Sequence, residues 1–226
     1  MENTVVLKPL LRGHLHGMAF LVTLGWTFVF LMASIFYKFD LPIFIYLMSQ
    51  LLLFGVSACY HIFNWSPSVK NFLRVCDHIC IFFLISGTQT SILLSVLPRD
   101  RIAEAFGPIK VSWAISLVGV LRLILIRQLY DIFDLICYIV HGCAVLSYFN
   151  LYKLFSKSEI IFAMFGGLFY LLGGLVYGME RPNLIPHAFG FHELFHLCTI
   201  FANASFGVII SKKYIFNILN TFVFKK

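Results

Sequence analysis

An all-α integral membrane protein, built as a seven-transmembrane-helix bundle, is the fold class that the sequence predicts. Three observations predict it. The 226-residue chain is 60% hydrophobic and only 12% charged, with a mean hydropathy of +0.90, too little polar surface to cover the core of a soluble domain of this size. Apolar runs long enough to cross a bilayer, about 20 residues each, recur along the whole chain. The stretches between them are short and hold the turn residues and the charges.

The first run, roughly 17–37, is too long for a signal peptide and lacks a small-residue cleavage site, so it reads as a retained helix closed by "KFD". The second, 41–63, ends at "NWSPSVKNFLR". "PRDRIAEAFGPIK" separates the third, 76–97, from the fourth, 109–127. "QLYDI" leads into the fifth, 132–152, "KLFSKS" into the sixth, 159–178, and "MERPNLIPHAFG" into the seventh, 190–210. Hydrocarbon gives the backbone no partners, so each run is expected to be a helix. A single membrane domain, 1–226, accounts for the chain. Its C-terminal "KKYIFNILNTFVFKK" sets an 11-residue apolar patch between lysine pairs. Such a patch is too short to span, so 212–226 is expected to lie in the membrane interface.

The six cysteines, at 59, 76, 80, 137, 143 and 198, all fall in predicted helices, which is no disulfide framework. They read as small buried residues, with Cys76 and Cys80, one turn apart beside Asp77, as remote metal ligands. The net charge of +7 comes from basic residues scattered over loops, where they anchor helix ends against anionic headgroups. It does not point to nucleic acid.

An ionisable side chain inside a membrane helix is costly and marks function by default. Arg122 and Arg127 lie near the end of run four and can snorkel. Asp131 and Asp134 open run five, where a helix N-terminus favours acids. His141 lies deeper and reads as a satisfied packing histidine. Another group remains: His61 ends run two in "SACYHIF", Asp77 opens run three in "RVCDHICIF", and His192, Glu193 and His196 open run seven. With seven crossings, these three ends share one side of the membrane. His192 and His196, four apart, project from one helix face. With His61 they make three imidazoles, a ligand set that suits zinc with an open fourth position for water. Asp77 can accept a hydrogen bond from that water or orient a histidine. Ser57, one turn before His61, points into the same pocket or bonds the carbonyl four residues back.

His192-Glu193-Leu194-Phe195-His196 also has the letters H-E-x-x-H of the zinc proteases, with Glu193 as general base. Intramembrane metalloproteases take a further aspartate ligand from a helix after the motif. Nothing after Glu193 is acidic, so the missing ligand must come from upstream, against the protease order.

"GGLFYLLGGLVYGMERPNLIPHAFGFHELFHLCTI" resembles the last two helices of hemolysin III proteins, and "SACYHIFNWSPSVKNFLRVCDHICIFFLISGTQTSILL" resembles their second and third. The wider group includes the progestin and adipoQ receptors and, more distantly, the alkaline ceramidases. The resemblance covers most of the chain from residue 13 onward and is most specific at 57–91 and 166–198. It implies an S-x-x-x-H element at Ser57 and His61, an aspartate at Asp77 and H-x-x-x-H at His192 and His196. It further implies that the histidines bind zinc, with the aspartate and serine beside its water. The family's N-terminal E-x-x-N-x-x-x-H is kept only at its histidine, His16; Pro9 and Arg12 fill the other places. Gly166-Gly167 and Gly173-Gly174 repeat at seven residues on run six, and close helix packing explains them.

The resemblance also puts the N-terminus and the metal site on the cytosolic side. Seven of the 17 Lys and Arg residues (8, 12, 70, 74, 122, 127 and 181) then lie on that side, a distribution that the positive-inside rule does not favour. Around the first helix alone, Lys8 and Arg12 against Lys38 do favour it.

Three functions follow as expectations. The favoured one is a zinc-dependent hydrolase of lipid amide or ester bonds, with a ceramide-like membrane lipid as substrate. Zinc would lower the pKa of its bound water towards ~7 and polarise a carbonyl. Asp77 would take the proton as general base, and Ser57 would hydrogen-bond the water or the developing oxyanion. The second is a cytolysin, a homo-oligomeric pore, for which Thr88, Ser91 and Ser95 form a polar stripe on run three. The third is a receptor with a structural zinc, against which stands the lack of any extended domain for a partner.

Overall fold

The computed structural model describes residues 9–126, 131–144, 153–185 and 187–222. Among these, every regular element is a helix: α1 (His14–Phe36), α2 (Leu41–Ile62), α3 (Pro67–Val96), a 3-10 turn (Arg99–Ala105), α4 (Phe106–Leu125), α5 (Asp131–Ala144), α6 (Lys157–Met179) and α7 (Phe191–Phe222). The caps are written in the sequence. The Asp40 side chain accepts from the Ile43 N–H at 3.3 Å, with Pro42 in the first turn, where a missing N–H costs nothing. Ser156 and Glu159 cap each other's amides at the start of α6, with donor–acceptor distances of 3.4 and 2.7 Å.

Among the described residues, six stretches are long and apolar enough to cross a membrane: α1, α2, α3, the 3-10 turn with α4, α6 and α7. The sequence predicts seven. Run five is described only over the 14 residues of α5, and 145–152 lie outside the described residues. Two helices also outrun their apolar runs. α3 starts at Pro67 rather than near 76, and α7 continues to Phe222. Up to Phe222, the stretch expected as a separate tail is therefore the end of the last helix. Hydropathy marks where lipid can be crossed, not where backbone hydrogen bonding stops, and lysine and arginine continue a helix readily.

α3 is central, packed against α2, α4, α5 and α7, while α1 lies on α2 and α7, and α6 on α7 and α5. Outward faces stay apolar, as Leu21, Phe28 and Val118 show at 60% exposure or more, which suits a lipid solvent. Glycines let the helices close up. A Cβ on Gly166 would stand 2.6 Å from the Phe206 ring, one on Gly173 2.9 Å from Cys198, and one on Gly174 3.3 Å from Leu135. Close packing thus accounts for three of the four glycines singled out on α6; a Cβ on Gly167 would meet nothing within 4 Å, and this residue lines a cavity. α2 and α3 approach closely at Gly87, where a Cβ would stand 2.7 Å from that of Ser49. Gly87→Ala is expected to force these helices apart and cost about 1–3 kcal/mol, read as a lower melting temperature of the purified protein in detergent.

Polar side chains join helices inside the bundle. Ser86 Oγ lies 2.9 Å from Ser112 Oγ and 2.8 Å from Ser116 Oγ, and His141 Nε2 lies 3.0 Å from Ser112. His141 packs inside the bundle as the sequence suggests, but it is satisfied only at Nε2, since its Nδ1 is buried without a hydrogen-bond partner among the described residues. Arg122 departs from expectation: it does not snorkel but ion-pairs with Asp134 across α4 and α5, both side chains largely buried. A carboxylate in the bundle needs a cation more than the arginine needs water. Arg127 lies outside the described residues. The cysteines are free, and neither Cys76 nor Cys80 belongs to a metal-ligating group among the described residues.

Candidate functional site

His61 stands in the last turn of α2, Asp77 in the first half of α3, and His192 and His196 in the opening turns of α7. Antiparallel packing puts these ends on one side, and the structure brings the side chains together. One nitrogen from each of His61, His192 and His196 lies within 4.8 Å of the others. His61 Nε2 and His192 Nε2 are 3.2 Å apart, and Asp77 Oδ2 is 3.6 Å from His61 Nε2. His196 and Asp77 are at most 9% exposed.

The N-terminal segment holds this cluster from one side. Leu10 and Leu11 donate their backbone N–H groups to the carbonyls of His187 (2.9 Å) and Ala188 (3.2 Å). Gly13 then takes φ 84°, and a Cβ there would stand 2.7 Å from that of His61; only glycine lets the chain turn this close to the histidine. Arg12 Nε donates to Glu193 Oε1 at 2.5 Å, and the Gly190 N–H donates to Glu193 Oε2 at 2.8 Å. Both oxygens of the fully buried Glu193 are thereby used in capping α7 and anchoring Arg12. The glutamate of the H-E-x-x-H letters is a structural cap in this arrangement, in line with setting the protease order aside.

His16 is the site residue that sequence reasoning left without a role. Its ring stacks on His196 with centroids 3.7 Å apart and planes 8° apart, and its Nδ1 lies 2.9 Å from Ser57 Oγ. Ser57, 1% exposed, therefore faces His16 rather than its own helix carbonyl. The parity that joins α2, α3 and α7 also applies to the start of α1, and it was the signal available for His16.

The cluster opens on a cavity of about 1130 Å³, above the ~300–1,000 Å³ of sites that bury a drug-sized ligand. Ser57, Asp77 and the three histidines line one end, and Leu93 and Phe206 line the other. The donor set suits a metal. Two nitrogens held at ~2.0–2.1 Å by one tetrahedral zinc lie about 3.3 Å apart, and the His61–His192 pair here is at 3.2 Å. Nδ1 of His196 is buried without a hydrogen-bond partner, as a nitrogen that serves as a metal ligand would be.

A family model described as haemolysin-III related matches residues 4–206. The chain is similar to Hemolysin-3 of Bacillus cereus, 24% identical over 163 residues that cover 70% of this chain and 73% of that protein. It is also similar to Hemolysin-3 homolog of Bacillus subtilis (strain 168), 26% identical over 159 residues covering 68% and 73%.

Proposed function

The chain belongs to the haemolysin-III-related family, and from that premise we propose a zinc-dependent membrane hydrolase that cleaves the amide or ester bond of a ceramide-like lipid. Run five completes the bundle as a seventh crossing, and the site faces the cytosol. The observation that carries the reading is the convergence of three imidazoles and one carboxylate at the end of a long cavity. His61, His192 and His196 hold the metal. Zinc, when bound, supplies a Lewis acid and a water acidic enough to ionise near neutral pH. Asp77 holds the proton taken from the attacking water and passes it to the leaving group. Ser57 donates a hydrogen bond to the carbonyl oxygen as it gains charge, and its tie to His16 fixes the hydroxyl beside His196. The helices around the cavity exclude bulk water and hold the lipid chains.

Elemental analysis of the purified protein, followed by ceramide turnover with and without a chelator, tests this reading. About one zinc per chain and chelator-sensitive turnover are expected; turnover by a zinc-free protein would overturn it. Ser57→Ala is expected to keep the metal and lower turnover by roughly 10²–10³, the loss of one oxyanion donor. Unchanged turnover would remove Ser57 from the site and leave the three histidines standing.

The names of the two relatives keep cytolysis by an oligomeric pore as the second reading. The polar stripe is weak support for it, since the hydroxyls of Thr88, Ser91 and Ser95 are buried and form no hydrogen bond among the described residues. Release of dye from liposomes is the assay.

A further inference from the structure

The cavity holds one polar group that the chemistry above does not use. Asp77, Ile81, Ile85 and Gln89 stand four apart along α3, and all four line the cavity. Such a row is one ridge of the helix surface. It starts at the candidate metal centre, continues over two isoleucines and ends on a carboxamide. Twelve residues at 1.5 Å each put Gln89 about 18 Å below Asp77, deep inside a hydrocarbon layer ~30 Å thick.

Gln89 is 8% exposed, and its orientation is fixed. Nε2 donates to the carbonyls of His141 (3.1 Å) and Gly142 (3.3 Å) in the last described turn of α5. Carbonyl oxygens only accept, so the amide nitrogen must face α5 and Oε1 must point away from it. Oε1 accepts no hydrogen bond among the described residues. Gln89 lines the cavity, and its Oε1, turned away from α5, faces that space. An interhelical staple explains the nitrogen of this side chain and leaves the oxygen unexplained. A fixed acceptor in an apolar cavity lacks a donor, and the shortfall is costly in low dielectric.

We infer that Gln89 Oε1 is a recognition point for a hydroxyl carried mid-chain by a long-chain lipid whose head lies at the three histidines. The inference rests on the reading of the cavity as a lipid site. Extended along the ridge, an eighteen-carbon chain passes Ile81 and Ile85, and the Gln89 side chain, leaning towards the N-terminus of α3 as helical side chains do, meets it in its second half. The hydroxyl donates to Oε1, while an unsubstituted chain leaves that acceptor bare.

Competition binding of 12-hydroxystearate and stearate to the purified protein tests this. The ratio of the two affinities cancels the contribution of the head, so it reports on Gln89 whether or not zinc is bound. The hydroxylated acid is expected to bind roughly five- to tenfold more tightly, the worth of one neutral hydrogen bond. Gln89→Met is expected to abolish that preference while leaving stearate affinity unchanged, which also shows an intact cavity. Should Gln89→Met not fold, 3-hydroxystearate replaces it as the control, since its hydroxyl stays near the head and earns no preference in the wild type. Equal binding of all three acids overturns the recognition point and leaves the lipid cavity standing. Binding of none overturns both.

Discussion

A protein carrying His192→Ala and His196→Ala is expected to purify with its zinc largely gone and with no lipid turnover. The two changes remove two of the three nitrogens that converge within 4.8 Å. His61 alone cannot replace them, and Asp77, 3.6 Å from it, is proposed as the proton acceptor and not as a ligand. The free energy at stake is large: structural zinc sites in small peptides bind with apparent values of about 10–16 kcal/mol near pH 7. The fold should outlast the loss. α7 stays attached to α6 through Gly166 and Gly173, and to α2 through the hydrogen bond from the Tyr46 hydroxyl to the Asn203 carbonyl. Elution as a single species in size exclusion, with elemental zinc measured on that peak, separates loss of metal from loss of structure. A folded double variant that keeps its full zinc complement would remove the site.

The convergence of the three histidines and Asp77 was legible because membrane helices carry so few ionisable groups that position speaks. His61, Asp77, His192 and His196 stand towards helix ends that the structure brings to one end of the bundle. Their partners were not legible, because partnership depends on side-chain direction across helices distant in sequence. Arg12 and Glu193 are 181 positions apart, and nothing in either neighbourhood names the other. Arg122 offers a milder case: snorkelling and pairing with Asp134 are both open to an arginine near a helix end, and only the α4–α5 packing decides. His16 could have been placed by parity but not by role, since its stack on His196 is a matter of ring planes.

Helix existence was likewise legible where apolar runs are long, and helix ends were not. Pro67 starts α3 ahead of its apolar run because a proline in the first turn suits the backbone regardless of hydropathy. The residues thereby added to α3 include Lys70 and Arg74, which line the cavity. The same geometry puts Gln89 on the cavity wall, where hydropathy alone would register one more polar residue in a membrane helix.

Asp77→Asn separates the two activities that this family raises. The substitution keeps the size of the side chain and its place on α3, but it removes the negative charge and the basicity. If Asp77 is the general base, turnover falls by something like 10²–10⁴, with zinc content and expression near those of the wild type. If Asp77 acts only by orienting His61 from 3.6 Å, the change appears instead as a 10–100-fold loss of metal affinity, and added zinc restores turnover. A pore makes no use of a basic carboxylate beside three imidazoles, so dye release from liposomes should be the same for both proteins. The decisive comparison is therefore ceramide hydrolysis and dye release on one preparation of the variant, with zinc measured alongside. Turnover lost with dye release unchanged supports the hydrolase, whereas turnover unchanged with dye release lost would reverse the assignment in favour of the cytolysin.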